Sequence, residues 1–247
     1  MNMEQADARE LRARAALGHP PADPLHPPQL GARPSERRTR VKICGCQSAV
    51  EVAQAVEAGA DAVGLIFATS PRQVTPAQAA AAAAAAPPQV TVVGVFVDPS
   101  ETELEHAFSL LPRMIPQFSG SEPPSLCRHL RIPYLKVIPV YPQEPDPGDG
   151  LRAEMERFPE ALPVFETASA QRGGSGRAFD WTQVRALTAL RPVVISGGLG
   201  PANVGDCVRS LRPYAVDVRS GVESGTSKDP AKLRAFMQAV RSSDAVT

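Results

Sequence analysis

Two side chains of this sequence, Cys44 and Glu166, could exchange protons with a bound molecule. Each ends a short apolar run that begins at Val41 or Leu162. A thiolate is a competent base when neighbouring positive charge lowers its pKa, and a carboxyl whose pKa is raised by partial burial is a competent acid. The pair therefore predicts general acid–base chemistry. An inert buried cysteine and a carboxylate that simply faces water are the alternatives.

Another group of residues is suited to binding anions. Arg72 follows a proline, and its guanidinium could hold a carboxylate through two hydrogen bonds, although a lone arginine is usually solvated. Gly197 and Gly198 follow one apolar run, and Ser220 and Gly221 follow the next. Backbone N–H groups of such glycines, together with the serine hydroxyl, could surround a phosphate. These two loops predict a phosphorylated ligand.

The elements that must position these residues are strands that alternate with helices. Eight apolar, β-branched runs are separated by helical patterns, which indicates a parallel sheet. The predicted strands are Val41–Cys44, Ala62–Phe67, Val90–Val97, Arg113–Phe118, Leu135–Val140, Leu162–Glu166, Val193–Ser196 and Ala215–Val218. The predicted helices are Ala49–Ala58, Pro76–Ala86, Glu101–Leu110, Pro124–Leu130, Gly150–Arg157, Trp181–Leu190, Ala202–Ser210 and Pro230–Val240.

Eight βα repeats of this size predict an α/β fold with an eight-stranded parallel (βα)8 TIM barrel. An open, doubly wound sheet is the alternative, but the residues from Cys44 to Gln47 do not match the G-x-G-x-x-G pattern that would support it. In a barrel, the carboxyl ends of the strands and the loops after them form the active face. The candidate acid, base and anion-binding residues all follow predicted strands, so the barrel brings them to one face.

Composition limits the domain organisation and the classes of partner. The formal net charge is +0 at pH 7, which gives no general field toward nucleic acid or an anionic membrane, and no apolar stretch is long enough to cross a bilayer. Residues 1–40 are rich in proline and arginine and have no Phe, Trp, Tyr, Ile or Val, which predicts a disordered tail before a catalytic domain at 41–247. The cysteines form no CxxC pair, and we expect a cytoplasmic protein.

Several collinear motifs together resemble the phosphoribosylanthranilate isomerase family. They run from Val41 to near the C-terminus, and none of them is specific alone. They are Lys42-Ile43-Cys44-Gly45, Gly59-Ala60-Asp61-Ala62-Val63-Gly64, Ser70-Pro71-Arg72, Gly94-Val95-Phe96-Val97, Gly173-Gly174-Ser175-Gly176 with Phe179-Asp180-Trp181, Gly197-Gly198-Leu199 with Pro201 and Asn203-Val204, Val216-Asp217-Val218, Ser220-Gly221-Val222-Glu223 and Lys228-Asp229.

The resemblance implies an Amadori rearrangement in tryptophan biosynthesis, without a metal or organic cofactor. Glu166 would protonate the furanose ring oxygen, Cys44 would remove the C2′ proton, and Arg72 would hold the anthranilate carboxylate. The substrate-binding residues would include Gln117, Gly174, Gly176 and Asp217, and the phosphate would be bound by Gly197, Gly198, Ser220 and Gly221. The expected partner is a small phosphorylated molecule, with no nucleic acid or membrane, and the chain is expected to be a monomer or a homodimer.

The sequence departs from the family pattern at four places. Glu166 replaces the usual aspartate, Ser119 replaces a histidine, Gln47 replaces a threonine, and Arg219 replaces the first serine of a pair. These changes leave two alternatives open: a phosphosugar-binding barrel without catalysis, and a related barrel enzyme that acts on another aminated ribose phosphate. Arg219 could strengthen phosphate binding, lower the pKa of Cys44, or point away from the site.

Overall fold

The computed structural model describes residues 38–130, 132–142, 148–168 and 178–245. Eight parallel strands pair in chain order, and β1 also pairs with β8, so the sheet closes into a barrel. The strands are β1 Arg40–Cys44, β2 Ala62–Ile66, β3 Thr91–Phe96, β4 Ile115–Phe118, β5 Leu135–Val140, β6 Leu162–Thr167, β7 Val194–Ser196 and β8 Ala215–Val218. The predicted (βα)8 barrel is confirmed, and the open doubly wound sheet is excluded.

Helices follow the strands and cover the outside of the barrel. They are α1 Ala49–Ala58, α2 Pro76–Ala83, α3 Glu101–Leu110, α4 Pro124–His129, α5 Gly148–Arg157, α6 Arg185–Thr188, α7 Val204–Leu211 and α8 Pro230–Asp244. A 3-10 turn at Trp181–Val184 precedes α6, and a second at Ser220–Val222 leads to a small hairpin of β9 Glu223–Ser224 and β10 Ser227–Lys228.

Six predicted helices differ from the observed ones in their bounds, and three of these differences have clear local reasons. The expected Pro76–Ala86 helix ends at Ala83, because the next amides bond carbonyls only three residues back and tighten the last turn. The expected Trp181–Leu190 helix is divided at Val184, whose φ of −113° and ψ of 0° leave helical geometry. Helix α7 begins at Val204 rather than Ala202, because the Asn203 side chain bonds the preceding loop.

Residues of each strand alternate between the two sides of the barrel wall. In β1, Val41 and Ile43 pack outward against helices, so Lys42 and Cys44 point inward. The lower part of the barrel interior is an apolar layer formed by Ala62, Val93, Ile115, Leu135, Val137, Leu162, Val164, Val194, Tyr214 and Ala215. Polar side chains lie above this layer, toward the carboxyl ends of the strands, and we call this end with its loops the mouth of the barrel.

The residues just before β1 are attached to the barrel. Arg38 forms an ion pair with Asp61, and Asp61 also accepts a hydrogen bond from the amide of Val41 at 2.9 Å. Thr39 donates from its amide and its hydroxyl to Asp244 at 2.9 and 2.7 Å. Residues 1–37 of the predicted tail lie outside the described part of the chain.

No helix in the described ranges is long and apolar enough to cross a membrane. Within the same ranges, no group of three or more His, Cys, Asp and Glu side chains is arranged to hold a metal ion.

Candidate active site

Cys44 ends β1 inside the mouth of the barrel, with 7% of its surface exposed. Gly64 of β2 makes room for its side chain, since a Cβ on Gly64 would lie only 2.8 Å from the sulfur. The carbonyl oxygen of Cys44 accepts a hydrogen bond from the ammonium group of Lys228. The thiol is thus held at the position that the sequence predicts for a base.

A buried ion pair lies directly below the thiol. Lys42, 1% exposed, donates to Asp217 Oδ2 at 2.9 Å, and the Ser196 hydroxyl donates to the same oxygen at 3.4 Å. The other oxygen, Oδ1, is buried and has no hydrogen-bond partner in the described part of the chain. Burial by itself would lower the pKa of Lys42, but attraction to Asp217 and Cys44 outweighs burial and raises it, so the lysine is a permanent cation beside the thiol.

Opposing effects set the protonation of Cys44. Burial raises its pKa above the ordinary value, and the negative charge of Asp217 acts in the same direction. The cations Lys42, Arg219 and Lys228 act in the opposite direction without fully cancelling burial. A lowered pKa was the condition under which the sequence favours Cys44 as a base, and the structure instead gives a protonated resting thiol with three cations that favour its thiolate.

Glu166 lies near the end of β6, opposite Ser196 of β7 in the strand register, and is partly exposed. Burial raises the pKa of its carboxyl, and repulsion from Asp217 adds to the effect, whereas Arg219 and Lys42 lower it. Among the described residues no hydrogen bond contributes to this shift. A carboxyl with a raised pKa keeps its proton at higher pH, as a proton donor requires.

Cys44 and Glu166 share the same charged neighbours. Lys42, Asp217 and Arg219 each interact electrostatically with both groups. Because Lys42 and Asp217 are buried within the barrel, both titratable groups face the space above that ion pair. Neither group lies among the outer helices.

Arg72 lies in the loop after β2 and is engaged by a carboxylate of this chain. Its Nε donates to Glu223 Oε1 at 2.8 Å, and its Nη2 donates to Glu223 Oε2. Glu223 is 1% exposed and also accepts from Lys228 at 2.7 Å. Two cations therefore hold one anion, and Nη1 of Arg72 has no hydrogen bond with a described residue. A substrate carboxylate would therefore bind Nη1 of this guanidinium alone, and not two of its nitrogens at once.

Gln117 of β4 is buried near the mouth, and the hydrogen-bonding capacity of its side-chain amide is only partly used. Its Nε2 donates to Ser119 Oγ at 3.3 Å, while its Oε1 has no partner among the described residues. A buried amide oxygen without a partner is costly unless a bound molecule satisfies it. The arrangement is suited to a donor on a ligand.

The loops after β7 and β8 pack directly against each other. A Cβ on Gly221 would lie 2.0 Å from the carbonyl oxygen of Leu199, so only glycine permits this contact. Gly197 and Gly198 turn with φ of +88° and +65°, and Asn203 holds the loop by accepting from Gly200 at 2.8 Å and donating to Gly198 at 2.9 Å. The predicted phosphate-binding glycines are thus brought together, with the exposed Ser220 beside Gly221.

Gly174 and Gly176, also predicted to bind substrate, lie outside the described residues. Sequence reasoning assigned no role to Lys42, Glu223 or Lys228, although all three occur in the quoted motifs. The alternation of β1 could have identified Lys42, since it lies two residues before Cys44 and so points to the same side.

Known proteins resemble this chain in sequence over most of its length. The sequence model of the family described as N-(5'phosphoribosyl)anthranilate (PRA) isomerase matches residues 41–239. The N-(5'-phosphoribosyl)anthranilate isomerase of Leptothrix cholodnii is 44% identical over 214 residues, which cover 85% of this chain and 94% of that protein.

Solved structures give the same result. Phosphoribosyl anthranilate isomerase from Thermotoga maritima superposes with a TM-score of 0.75 and 33% identity, covering 83% of this chain and 99% of that chain. A phosphoribosyl anthranilate isomerase in complex with reduced 1-(o-carboxyphenylamino)-1-deoxyribulose 5-phosphate has a TM-score of 0.72 and 32% identity, again covering 83% and 99%.

Proposed function

The chain belongs to the N-(5'-phosphoribosyl)anthranilate isomerase family, and on that premise we propose that Cys44 and Glu166 carry out the family's reaction. The protein is an isomerase of tryptophan biosynthesis. It converts N-(5'-phosphoribosyl)anthranilate into 1-(2-carboxyphenylamino)-1-deoxyribulose 5-phosphate by an Amadori rearrangement.

Glu166 acts in the first half of the reaction as the general acid. Its carboxyl, whose pKa is raised chiefly by burial, donates a proton to the furanose ring oxygen as the C1′–O bond breaks. The nitrogen lone pair forms a double bond to C1′, and the ring opens to a protonated Schiff base. Glu166 is left as a carboxylate near Arg219 and Lys42, both of which stabilise its negative charge.

Cys44 acts in the second half as the general base. The protonated Schiff base is a new cation beside the thiol, and it adds to the field of Lys42, Arg219 and Lys228 that favours the thiolate. The thiol loses its proton to solvent, and the resulting thiolate removes the proton from C2′, so that the electrons of that bond shift to give an enolamine. The enolamine then tautomerises: C1′ gains a proton, the C2′ hydroxyl loses one and the ketone forms, so that no atoms are gained or lost overall.

The substrate is held at its two charged ends. The backbone N–H groups of Gly198 and Gly221, which lie in the packed loops after β7 and β8, bind the phosphate together with the Ser220 hydroxyl in this proposal. At the other end, Nη1 of Arg72 meets the aryl carboxylate, and Gln117 Oε1 accepts from a hydroxyl of the open-chain sugar. Binding at both ends fixes C1′ and C2′ between the acid and the base.

We place the reaction in the cytoplasm. Cys44, Cys46, Cys127 and Cys207 are all free thiols, as is usual for proteins of a reducing compartment.

One observation carries the residue assignment: a thiol at the end of β1 and a carboxyl near the end of β6 share the neighbours Lys42, Asp217 and Arg219. The test is an assay that follows the fluorescence of freshly generated phosphoribosylanthranilate. We expect turnover by the wild type, and a fall in kcat of ~10²–10⁴ for Cys44→Ala and for Glu166→Ala. An unchanged kcat in either variant removes that residue from the mechanism.

Cys207→Ala is the matched control for Cys44→Ala. Cys207 is a buried thiol on α7, away from the mouth, and burial raises its pKa to about 12. We expect its replacement to leave kcat within about twofold of the wild type, since it removes packing and no reacting group.

A further inference from the structure

Arg219 lies beside Arg72 at the mouth of the barrel. Both stems pack over Gly45: a Cβ on Gly45 would lie 3.1 Å from Arg72 Cδ and 3.4 Å from both Cγ and Cδ of Arg219. The two Cδ atoms are therefore separated by no more than the sum of these two short distances. Although Arg219 follows β8, its side chain runs toward the loop after β1 rather than toward the glycines after β7.

The two guanidinium groups differ in their partners. Arg72 has Nε and Nη2 committed to Glu223, so it offers only one end to a ligand. Arg219 forms no hydrogen bond and no ion pair with any residue of the described ranges. Its charge nevertheless reaches both Cys44 and Glu166. Its stem at Gly45 and its effect on both groups put its head group on the same side of the barrel as the acid and the base.

The chemistry of the substrate supplies the missing anion at this place. The anthranilate carboxylate is ortho to the nitrogen on C1′, so it must lie close to the carbons between Glu166 and Cys44. The phosphate, on C5′, is at the opposite end of the sugar. An anion that binds Arg219 beside Arg72 is thus the carboxylate rather than the phosphate.

We infer that Arg219 is a second ligand of the substrate's aryl carboxylate, which it shares with Nη1 of Arg72. The inference rests on the proposed function. Because Glu223 occupies Nε and Nη2 of Arg72, Arg72 alone cannot bind the carboxylate through two nitrogens, and the guanidinium group of Arg219 supplies the second contact. Arg219 is then a specificity-determining residue of this chain, at a position where the family pattern has a serine.

The experiment separates the two ends of the substrate. Dissociation constants are measured by calorimetry for anthranilate, which has the carboxylate alone, and for ribose 5-phosphate, which has the phosphate alone. The proteins are the wild type, Arg219→Ser, Arg219→Lys and the control Arg152→Ser, which removes an exposed arginine paired with Glu156. KM and kcat for phosphoribosylanthranilate are measured on the same set.

We expect Arg219→Ser to raise the dissociation constant of anthranilate by about 10-fold or more, which is the contribution of one hydrogen bond to a charged group. The dissociation constant of ribose 5-phosphate should stay within about twofold of the wild-type value. Arg219→Lys should recover part of the loss, and Arg152→Ser should match the wild type. In turnover, KM should rise because the carboxylate is held less well, and kcat should fall as well because Arg219 also favours the thiolate of Cys44.

Three results overturn the inference. The first is a larger loss of affinity for ribose 5-phosphate than for anthranilate, and the second is an equal loss for both fragments. The third is no loss of affinity for anthranilate, which includes the case in which the wild type itself does not bind anthranilate. Failure of the proposed function gives a different result. In that case the wild type does not turn over phosphoribosylanthranilate, whereas the effect of Arg219→Ser on fragment binding is still measured.

Discussion

The two sides of the active site surround their titratable groups with different partners. On the β1 side, burial that would keep Cys44 protonated is opposed by three cations, and Lys228 holds its carbonyl oxygen. On the β6 side, Glu166 has no hydrogen bond from a described residue, and burial is the largest cause of its raised pKa. Burial is the largest cause of the raised pKa on both sides. The sides differ in the cations that oppose it, because Lys228 acts on Cys44 but is not among the groups that shift the pKa of Glu166.

This difference means that the two sides should respond to different substitutions. Removing one cation near Cys44 should lower its reactivity strongly, because each cation separately opposes the effect of burial on the pKa of the thiol. At Glu166 the informative changes are in the length or the polarity of its own side chain. Four substitutions test this contrast.

The largest effect is expected from Lys42→Met. The change removes the cation that contributes most to stabilising the thiolate of Cys44, and it leaves Asp217 buried without its partner. We expect kcat/KM to fall by ~10², because a base that stays protonated loses general base catalysis. The basic side of the pH–rate profile should move to higher pH.

The control for Lys42→Met is the double variant Lys42→Met/Asp217→Asn. Breaking a buried pair on one side costs about 3–5 kcal/mol, whereas replacing both members is often nearly neutral. The double variant should regain much of the stability and still be slow. A pH–rate profile that stays in place in both variants would contradict the role of Lys42.

The next effect is expected from Glu223→Gln, which acts at the substrate-binding edge of the β1 side. The change weakens the contacts that orient Arg72 and Lys228. We expect KM to rise by about 10-fold and kcat to change less, since a charge-assisted hydrogen bond that positions a ligand is lost. The matched control is Glu156→Gln, in an exposed pair with Arg152, which should change neither constant.

The barrel and the strand ends were predictable because they depend on local pattern. Strand-end position in a barrel of alternating strands and helices predicted Cys44 and Glu166 at one mouth without any contact being known. The pairing of Arg72 with Glu223 was not predictable, because it joins loops 151 residues apart whose conformations no periodicity records. The raised pKa of Cys44 depends on a balance of burial against several charges, which only three-dimensional positions supply.

A smaller effect is expected from Glu166→Asp, on the β6 side. The resemblance gives aspartate as the family's usual acid, so the shorter carboxyl keeps the chemistry but lies one methylene farther from the ring oxygen. We expect kcat to fall by about 5-fold, in contrast to ~10²–10⁴ for Glu166→Gln, which has no acidic proton. If Glu166→Asp were as slow as Glu166→Gln, side-chain length rather than proton donation would explain the loss.

The smallest effect is a change in stability with pH in Glu166→Gln. Because burial raises the pKa of Glu166 in the folded protein above its ordinary value of 4.5, ionisation favours the unfolded chain. Below pH 4.5 the carboxyl is protonated in both states and contributes nothing, and its cost develops as pH rises from that value through the raised pKa. Glutamine is neutral throughout, so the Tm of Glu166→Gln minus that of the wild type should grow from about zero in acid to a positive plateau at neutral pH.

Thermal unfolding across this range measures the difference, with Glu156→Gln controlling for the loss of an exposed charge. A difference that is negative at neutral pH would show that an attractive partner stabilises the Glu166 carboxylate in the folded protein, and would contradict burial as the main cause of its raised pKa.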